Sequence, residues 1–272
     1  MKIIFFSDKN YEYQAKSLIE SIRLNVHEQV QLIYYTIGFE SDLKYENLTK
    51  RVYPIDISKP RFEFYKPSIL LDAIDTFGGK FLFLDTDMIV GRRFDISKID
   101  HDYDFPLLSQ GNWDYPFVSI SGENSCDEQN LMKYFGVEKR TMNYVYSCMV
   151  SFNDKCRDII LEWASMCDNK YLLKNRSIFL PFHDETPINI ILWKRGININ
   201  LGRIYLNNLD YNPLVYVEEN DNIVGDPSIN YGILDSSLMR CENSNNIILY
   251  HGIKDNMILR DVLLYFEIVR IS

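Results

Sequence analysis

Lys80–Val90 reads KFLFLDTDMIV, and the rest of the chain is understood from it. Phe81-Leu82-Phe83-Leu84 is a continuous apolar run, the pattern of a strand buried on both faces as in a parallel sheet, and it stops at Asp85-Thr86-Asp87. Strand side chains alternate with period two, so the spacing predicts Asp85 and Asp87 on one side and Thr86 on the other. Two neighbouring carboxylates repel, so either one keeps a proton or a cation sits between them. The cation is favoured, because open α/β sheets bind ligands beyond the carboxyl ends of their strands. The competing reading is a strand that ends in a solvated turn, with Asp87 capping something local.

Upstream, residues 2–7 (KIIFFS) read as a first buried strand, followed by the polar break Ser7-Asp8-Lys9-Asn10-Tyr11 and a helix to about Asn25. In that helix Ala15, Leu18, Ile19 and Ile22 keep helical spacing. A polar loop between a first strand and a helix start is a usual nucleotide-holding place, and simple capping by Asp8 or Asn10 is the alternative. The glycine-rich dinucleotide fingerprint and the phosphate-binding loop of ATPases are both missing here. Strands are expected at 30–36 and 52–55, then a helix over 64–76 entered through Lys66-Pro67 and ended by Gly78-Gly79. The resulting β-α-β-β-α-β order argues for an α/β domain with a mostly parallel sheet.

Downstream, strands are expected at 88–90, 105–109 and 144–152, with Gly111–Gln129 a long loop and 154–167 an amphipathic helix. His183-Asp184-Glu185-Thr186-Pro187 precedes an apolar helical run that ends at Lys194-Arg195-Gly196. That acidic cluster is either catalytic or only the acidic first turn that a helix dipole favours. Ile247-Ile248-Leu249-Tyr250 reads as a strand ending in His251-Gly252-Ile253-Lys254, before a closing helix over about 255–268. A histidine followed by glycine and lysine at a strand end can ligate a metal and contact a phosphate.

Composition sets outer limits. With 29 basic and 38 acidic residues the net charge is −9, which argues against a nucleic-acid binder with a general basic surface. An anionic substrate would need local positive help. Cys126, Cys148, Cys156, Cys167 and Cys241 are odd in number and lack metal-type spacing, so they read as reduced thiols of a reducing compartment. No run of about 20 apolar residues and no signal peptide is apparent, so the expected location is cytoplasmic, without a transmembrane segment.

Taken in order, these residues resemble the GT-A glycosyltransferases, most closely the family 8 enzymes of the galactosyltransferase and glycogenin type. The resemblance implies one GT-A domain over 1–272, a Rossmann-like mixed sheet flanked by helices. Residues 1–110 would be its nucleotide-binding half and 111–272 its acceptor-side half. It also implies a metal-dependent transfer of a hexose from a nucleotide sugar, UDP-linked, to a glycan or other hydroxyl acceptor, with retention. Ser7, Asp8, Asn10 and Tyr11 would hold the nucleotide, Asp8 and Asn10 at uracil and ribose, and Lys66 would face the donor. Asp85, Asp87 and His251 would hold the metal, with Thr86 in the donor-binding set and Gly252 and Lys254 toward the diphosphate. Asp184 would bind the donor sugar. Glu185 stands in place of a glutamine discussed as nucleophile or stabiliser, so a covalent intermediate and a front-face attack both stay open. Two carboxylates and an imidazole suit Mn²⁺ better than Mg²⁺, which is also admissible.

This chain departs from the family in several places. The His251 to Lys254 spacing is short, no Trp follows the lysine, and Tyr146-Ser147-Cys148 replaces an Asn-Ala-Gly. These departures keep alive a catalytically silent relative that binds a nucleotide sugar or glycan as an interaction module. A dehalogenase-type phosphatase fits less well, because its Asp-x-Asp closes the first strand. A sugar nucleotidyltransferase would need a glycine-rich N-terminal loop. A homodimer is compatible with the resemblance.

Overall fold

Lys2–Ser7 (β1) buries Ile3, Ile4 and Phe5 completely, so it needs a strand on each edge and cover on each face. The computed structural model describes residues 1–90, 96, 103–110, 128–142, 144–180, 183–197, 204–207, 214–218 and 247–251. These fall into two compact units, Met1–Pro54 with Leu82–Asp100 and Arg203–Ser272, and Ile55–Phe81 with His101–Gly202.

In the first unit Gln31–Ile37 (β2) runs parallel to β1, from Lys2↔Gln31 to Ser7↔Thr36. Parallel neighbours require a crossover, which helix Glu12–Asn25 (α1) supplies. Leu48–Tyr53 (β3) extends the parallel block on the other side of β2. It starts four residues before the expected strand at 52–55. The reason is that β3 is an edge strand with Lys50 and Val52 exposed, so pairing rather than an apolar run defines it. Lys80–Leu84 (β4) is the other neighbour of β1. The two-residue strand Ile89–Val90 (β5) pairs antiparallel with Ile247–His251 (β10). Leu214–Glu218 (β9) pairs antiparallel with both β10 and Ile204–Asn207 (β8). The expected class is therefore observed, α/β with a mixed sheet, parallel through β1, β2 and β3.

In the second unit Leu107–Gln110 (β6) pairs antiparallel with Val145–Asn153 (β7), every residue of which is buried. A 3₁₀ turn over Phe62–Tyr65 leads into helix Lys66–Phe77 (α2), with Pro67 in its first turn as expected. Gly78 at φ 57° ends α2, a conformation that only glycine takes without strain, and the Asp154 carboxylate grips the next amide, Gly79 N–H, at 2.8 and 3.0 Å. Helices Glu128–Phe135 (α3), Arg157–Cys167 (α4), Lys170–Lys174 (α5), Arg176–Phe179 (α6) and Glu185–Lys194 (α7) follow. Helices α5 and α6 are absent from the sequence expectations, because each is too short to show a period. The loop expected over 111–129 gives way at Glu128 and Gln129 to the start of α3, which is likewise absent from the sequence expectations, while 111–127 and the closing helix at 255–268 lie outside the described residues. Cys148, Cys156 and Cys167 are buried thiols. Burial pushes the Cys156 thiol up to about 11, which makes it a poor nucleophile. No helix among the described residues is long and apolar enough to cross a membrane.

Candidate active site

The first unit gathers two loops at neighbouring strand ends. Phe6 and Phe83, each the penultimate residue of its strand, meet ring to ring at 5.7 Å, which brings the carboxyl ends of β1 and β4 together. After β1, Ser7 is fully buried and its Oγ lies 2.5 Å from the Tyr34 hydroxyl. Asp8 then caps the short 3₁₀ turn Lys9–Tyr11, its Oδ1 accepting the amides of Asn10 at 2.8 Å and Tyr11 at 3.1 Å. The loop is thereby held in one shape while Asn10 and Tyr11 are exposed. Capping, the simpler sequence reading of Asp8, is thus what its Oδ1 does.

After β4 the chain does not stay extended. Asp85-Thr86-Asp87-Met88 closes a turn in which Met88 N–H donates to the Asp85 carbonyl at 3.2 Å. The period-two argument therefore stops at Leu84, and the relation of Asp85 to Asp87 is set by a turn, with both half-buried and Thr86 buried. The turn is anchored behind itself by two buried polar residues of α1. Ser21 Oγ accepts from Val90 N–H at 3.0 Å, and Asn25 Nδ2 donates to Val90 C=O at 2.8 Å. A two-residue strand has too few ladder bonds to stay in place alone, so these side chains supply what the ladder lacks. The β5–β10 register is Leu249↔Val90 and Tyr250↔Ile89, and His251 is the next residue of β10 beyond that last pair. Among the described residues no three His, Cys, Asp or Glu side chains group as a cation site.

The second unit holds a buried polar network around the start of α7. The Lys66 ammonium has three donors. They meet the Ser147 carbonyl at 3.0 Å, Ser147 Oγ at 3.0 Å and Asp184 Oδ2 at 3.2 Å. Ser147 Oγ in turn donates to Asp184 Oδ2 at 2.6 Å, closing a triangle of which Lys66 and Asp184 are almost wholly buried members. Glu185, the first residue of α7, accepts from Ser147 N–H at 3.2 Å through Oε1 and from the Tyr144 hydroxyl at 3.3 Å through Oε2. Burial first, then the nearby Glu185 and Asp184 charges, push the Tyr144 hydroxyl well above its ordinary range, so it stays protonated and donates. Trp163 Nε1 donates to the Asp184 carbonyl at 2.7 Å, and Asn189 brackets β7 by accepting from Val145 N–H and donating to Val145 C=O, both at 2.9 Å. Two carboxylates at a helix N-terminus suit its dipole.

His183, just before them, has φ 52° and packs edge-on against Phe64 at 6.0 Å. Its Nδ1 is buried without a hydrogen-bond partner among the described residues. Burial, and next the Arg61 charge, hold its pKa below the ordinary value, with Glu63 and Asp184 opposing and Arg176 adding to the depression. In the unfolded chain the group takes a proton near pH 6.5, which the folded chain resists, so stability is expected to fall as pH drops below about 6.5. His183→Asn, which tolerates the left-handed backbone, should flatten that slope. Melting midpoints at about pH 7.5 and about pH 5.5 test it; an equal drop in both proteins would assign the loss to other groups.

Of the residues singled out from sequence, the first unit holds Ser7, Asp8, Asn10, Tyr11, Asp85, Thr86, Asp87 and the backbone of His251. The second unit assembles Lys66, Asp184 and Glu185 in one network. Gly252 and Lys254 lie outside the described residues. Sequence reading missed Tyr144 as a partner of Glu185, and gave Ser147 no contact to Lys66; the signal was Ser147 itself, a polar side chain inside the apolar run Val145–Val150.

No family model matches the chain, and no curated protein is similar to it in sequence. Solved structures are similar in fold. The galactosyltransferase LgtC, in complex with donor and acceptor sugar analogues, is 17% identical over 75% of this chain and 74% of its own, with a TM-score of 0.51. An active-site mutant of LgtC gives 16% identity over the same shares and a TM-score of 0.50. The apo bifunctional glycosyltransferase WbbM is 12% identical over 100% of this chain, which spans 52% of WbbM, with a TM-score of 0.56. The chain thus has the α/β fold of the GT-A type glycosyltransferases.

Proposed function

We propose that this protein is a glycosyltransferase that moves a hexose from a UDP-sugar to a hydroxyl of a glycan or other acceptor, with retention. The observation that carries the reading is the side-by-side placement of the Ser7-Asp8 loop and the Asp85-Thr86-Asp87 turn at the carboxyl ends of β1 and β4. Open α/β sheets hold nucleotides at such ends. The Asp8 loop is preset by its own capping bonds, so binding a base and ribose there costs little ordering. Asn10 and Tyr11 are exposed to meet them.

Asp85, Asp87 and His251 would hold a divalent cation, Mn²⁺ by preference, since a turn with two half-buried carboxylates and a strand that ends in a histidine offer oxygen and nitrogen donors of the fitting kind. Such an ion, when bound, neutralises charge on a departing diphosphate. Thr86, Gly252 and Lys254 are assigned to the same donor. In the second unit Lys66 serves by fixing Asp184, the carboxylate assigned to the donor sugar. Glu185 is read as a stabiliser of positive charge at the reacting carbon rather than a nucleophile, because both its oxygens already accept hydrogen bonds. Structures of the neighbours include LgtC bound to donor and acceptor analogues, which supports the substrate class.

The test is the melting temperature with saturating UDP, first with Mn²⁺ and then with EDTA. At about 100 times Kd a ligand adds about 2.7 kcal/mol, which at this length raises the midpoint by about 5 °C. The shift should appear only with metal. No shift under either condition would overturn the nucleotide assignment.

A further inference from the structure

In the second unit α3, α5 and α6 build an exposed aromatic and basic face. Phe179 lies between two tyrosines, with ring centroids 4.3 Å from Tyr134 and 5.7 Å from Tyr171. Both tyrosines are more than half exposed, at 51% and 57%, and Ile178 beside them is 57% exposed. Isolated apolar residues on a surface need no explanation, but three exposed ones around the half-buried Phe179 do. The segment that carries most of this face, Lys170–Phe179, reads KYLLKNRSIF, with Lys170, Lys174 and Arg176 and no acidic residue, in a chain of net charge −9. All three cations are exposed, and none is in an ion pair among the described residues.

We propose that this face docks on an anionic lipid surface. Tyrosines favour the water–lipid boundary, the exposed Ile178 enters the acyl edge with the half-buried Phe179 behind it, and the lysines and arginine of the segment attract acidic headgroups. Charge complementarity selects this occupant. With the chain at −9 overall, an acidic surface attracts it through basic faces such as this one, so the membrane orients it. The inference does not depend on the reading of the active site.

The full chain is floated with vesicles of phosphatidylcholine alone and with vesicles containing about one third phosphatidylserine, at low salt and at about 0.5 M salt. Binding is expected only to the acidic vesicles, weakened by salt. Lys174→Glu with Arg176→Glu should lower the partition by at least about tenfold, since each basic residue near the surface contributes about fivefold. Ile178→Asp should lower it further, with melting temperatures kept at the wild-type value as the check on folding. Failure to float with acidic vesicles, equal binding by the charge-reversed variant, or equal binding to neutral vesicles would each overturn the proposal. So would a dimer dissolved by the same substitutions, or soluble oligosaccharides that bind the face, if vesicles do not.

Discussion

Lys66→Met is expected to destabilise the protein by about 3–5 kcal/mol and to lower its melting temperature by about 10 °C. The side chains of Lys66 and Asp184 are 3% and 4% exposed and stand 3.2 Å apart, so water cannot replace the lost partner of the carboxylate. Removing the ammonium also takes donors from the Ser147 carbonyl and Oγ. A buried charge left alone costs far more than the intact pair contributes, and that asymmetry makes the pairing testable. The double variant Lys66→Met with Asp184→Asn removes both charges and should recover a good part of the loss. A single variant that melts within about 2 °C of wild type would show that the pair is solvated in solution.

Asp87→Asn is the second large effect, and it falls on activity. The change keeps size and shape but removes one of the two acidic groups of the Asp85–Met88 turn, so under the proposed function sugar transfer should fall by about 10²–10³-fold. Stability without metal should move little, because Asp87 is only half-buried and Asn keeps its shape. The metal-dependent midpoint shift with UDP should vanish in the same variant. Donor turnover at the wild-type rate would remove Asp87 from the chemistry, whereas loss of turnover with a lowered midpoint in the absence of ligand would mark it as a structural residue.

The sequence by itself determined the order of elements through β4 and the class of the fold. Buried strands such as Phe81–Leu84 read as unbroken apolar runs, and α1 shows its 3.6-residue period through Ala15, Leu18, Ile19 and Ile22. These are local signals, carried by consecutive residues, and they survive in a single chain. The polar stops at Asp8, at Asp85-Thr86-Asp87 and at His183-Asp184-Glu185 were visible for the same reason, since charge interrupts hydrophobicity. Tertiary structure alone decided what those residues touch. Ser21 and Asn25 look like ordinary polar helix positions until Val90 supplies their partners, and Lys66, expected to face the donor, is enclosed by Ser147 and Asp184. The extended geometry expected for Asp85 and Asp87 gave way to a turn, because the alternation of a strand ends with its ladder. Contacts of this kind join residues distant in sequence and leave no period along the chain, so only the fold can disclose them.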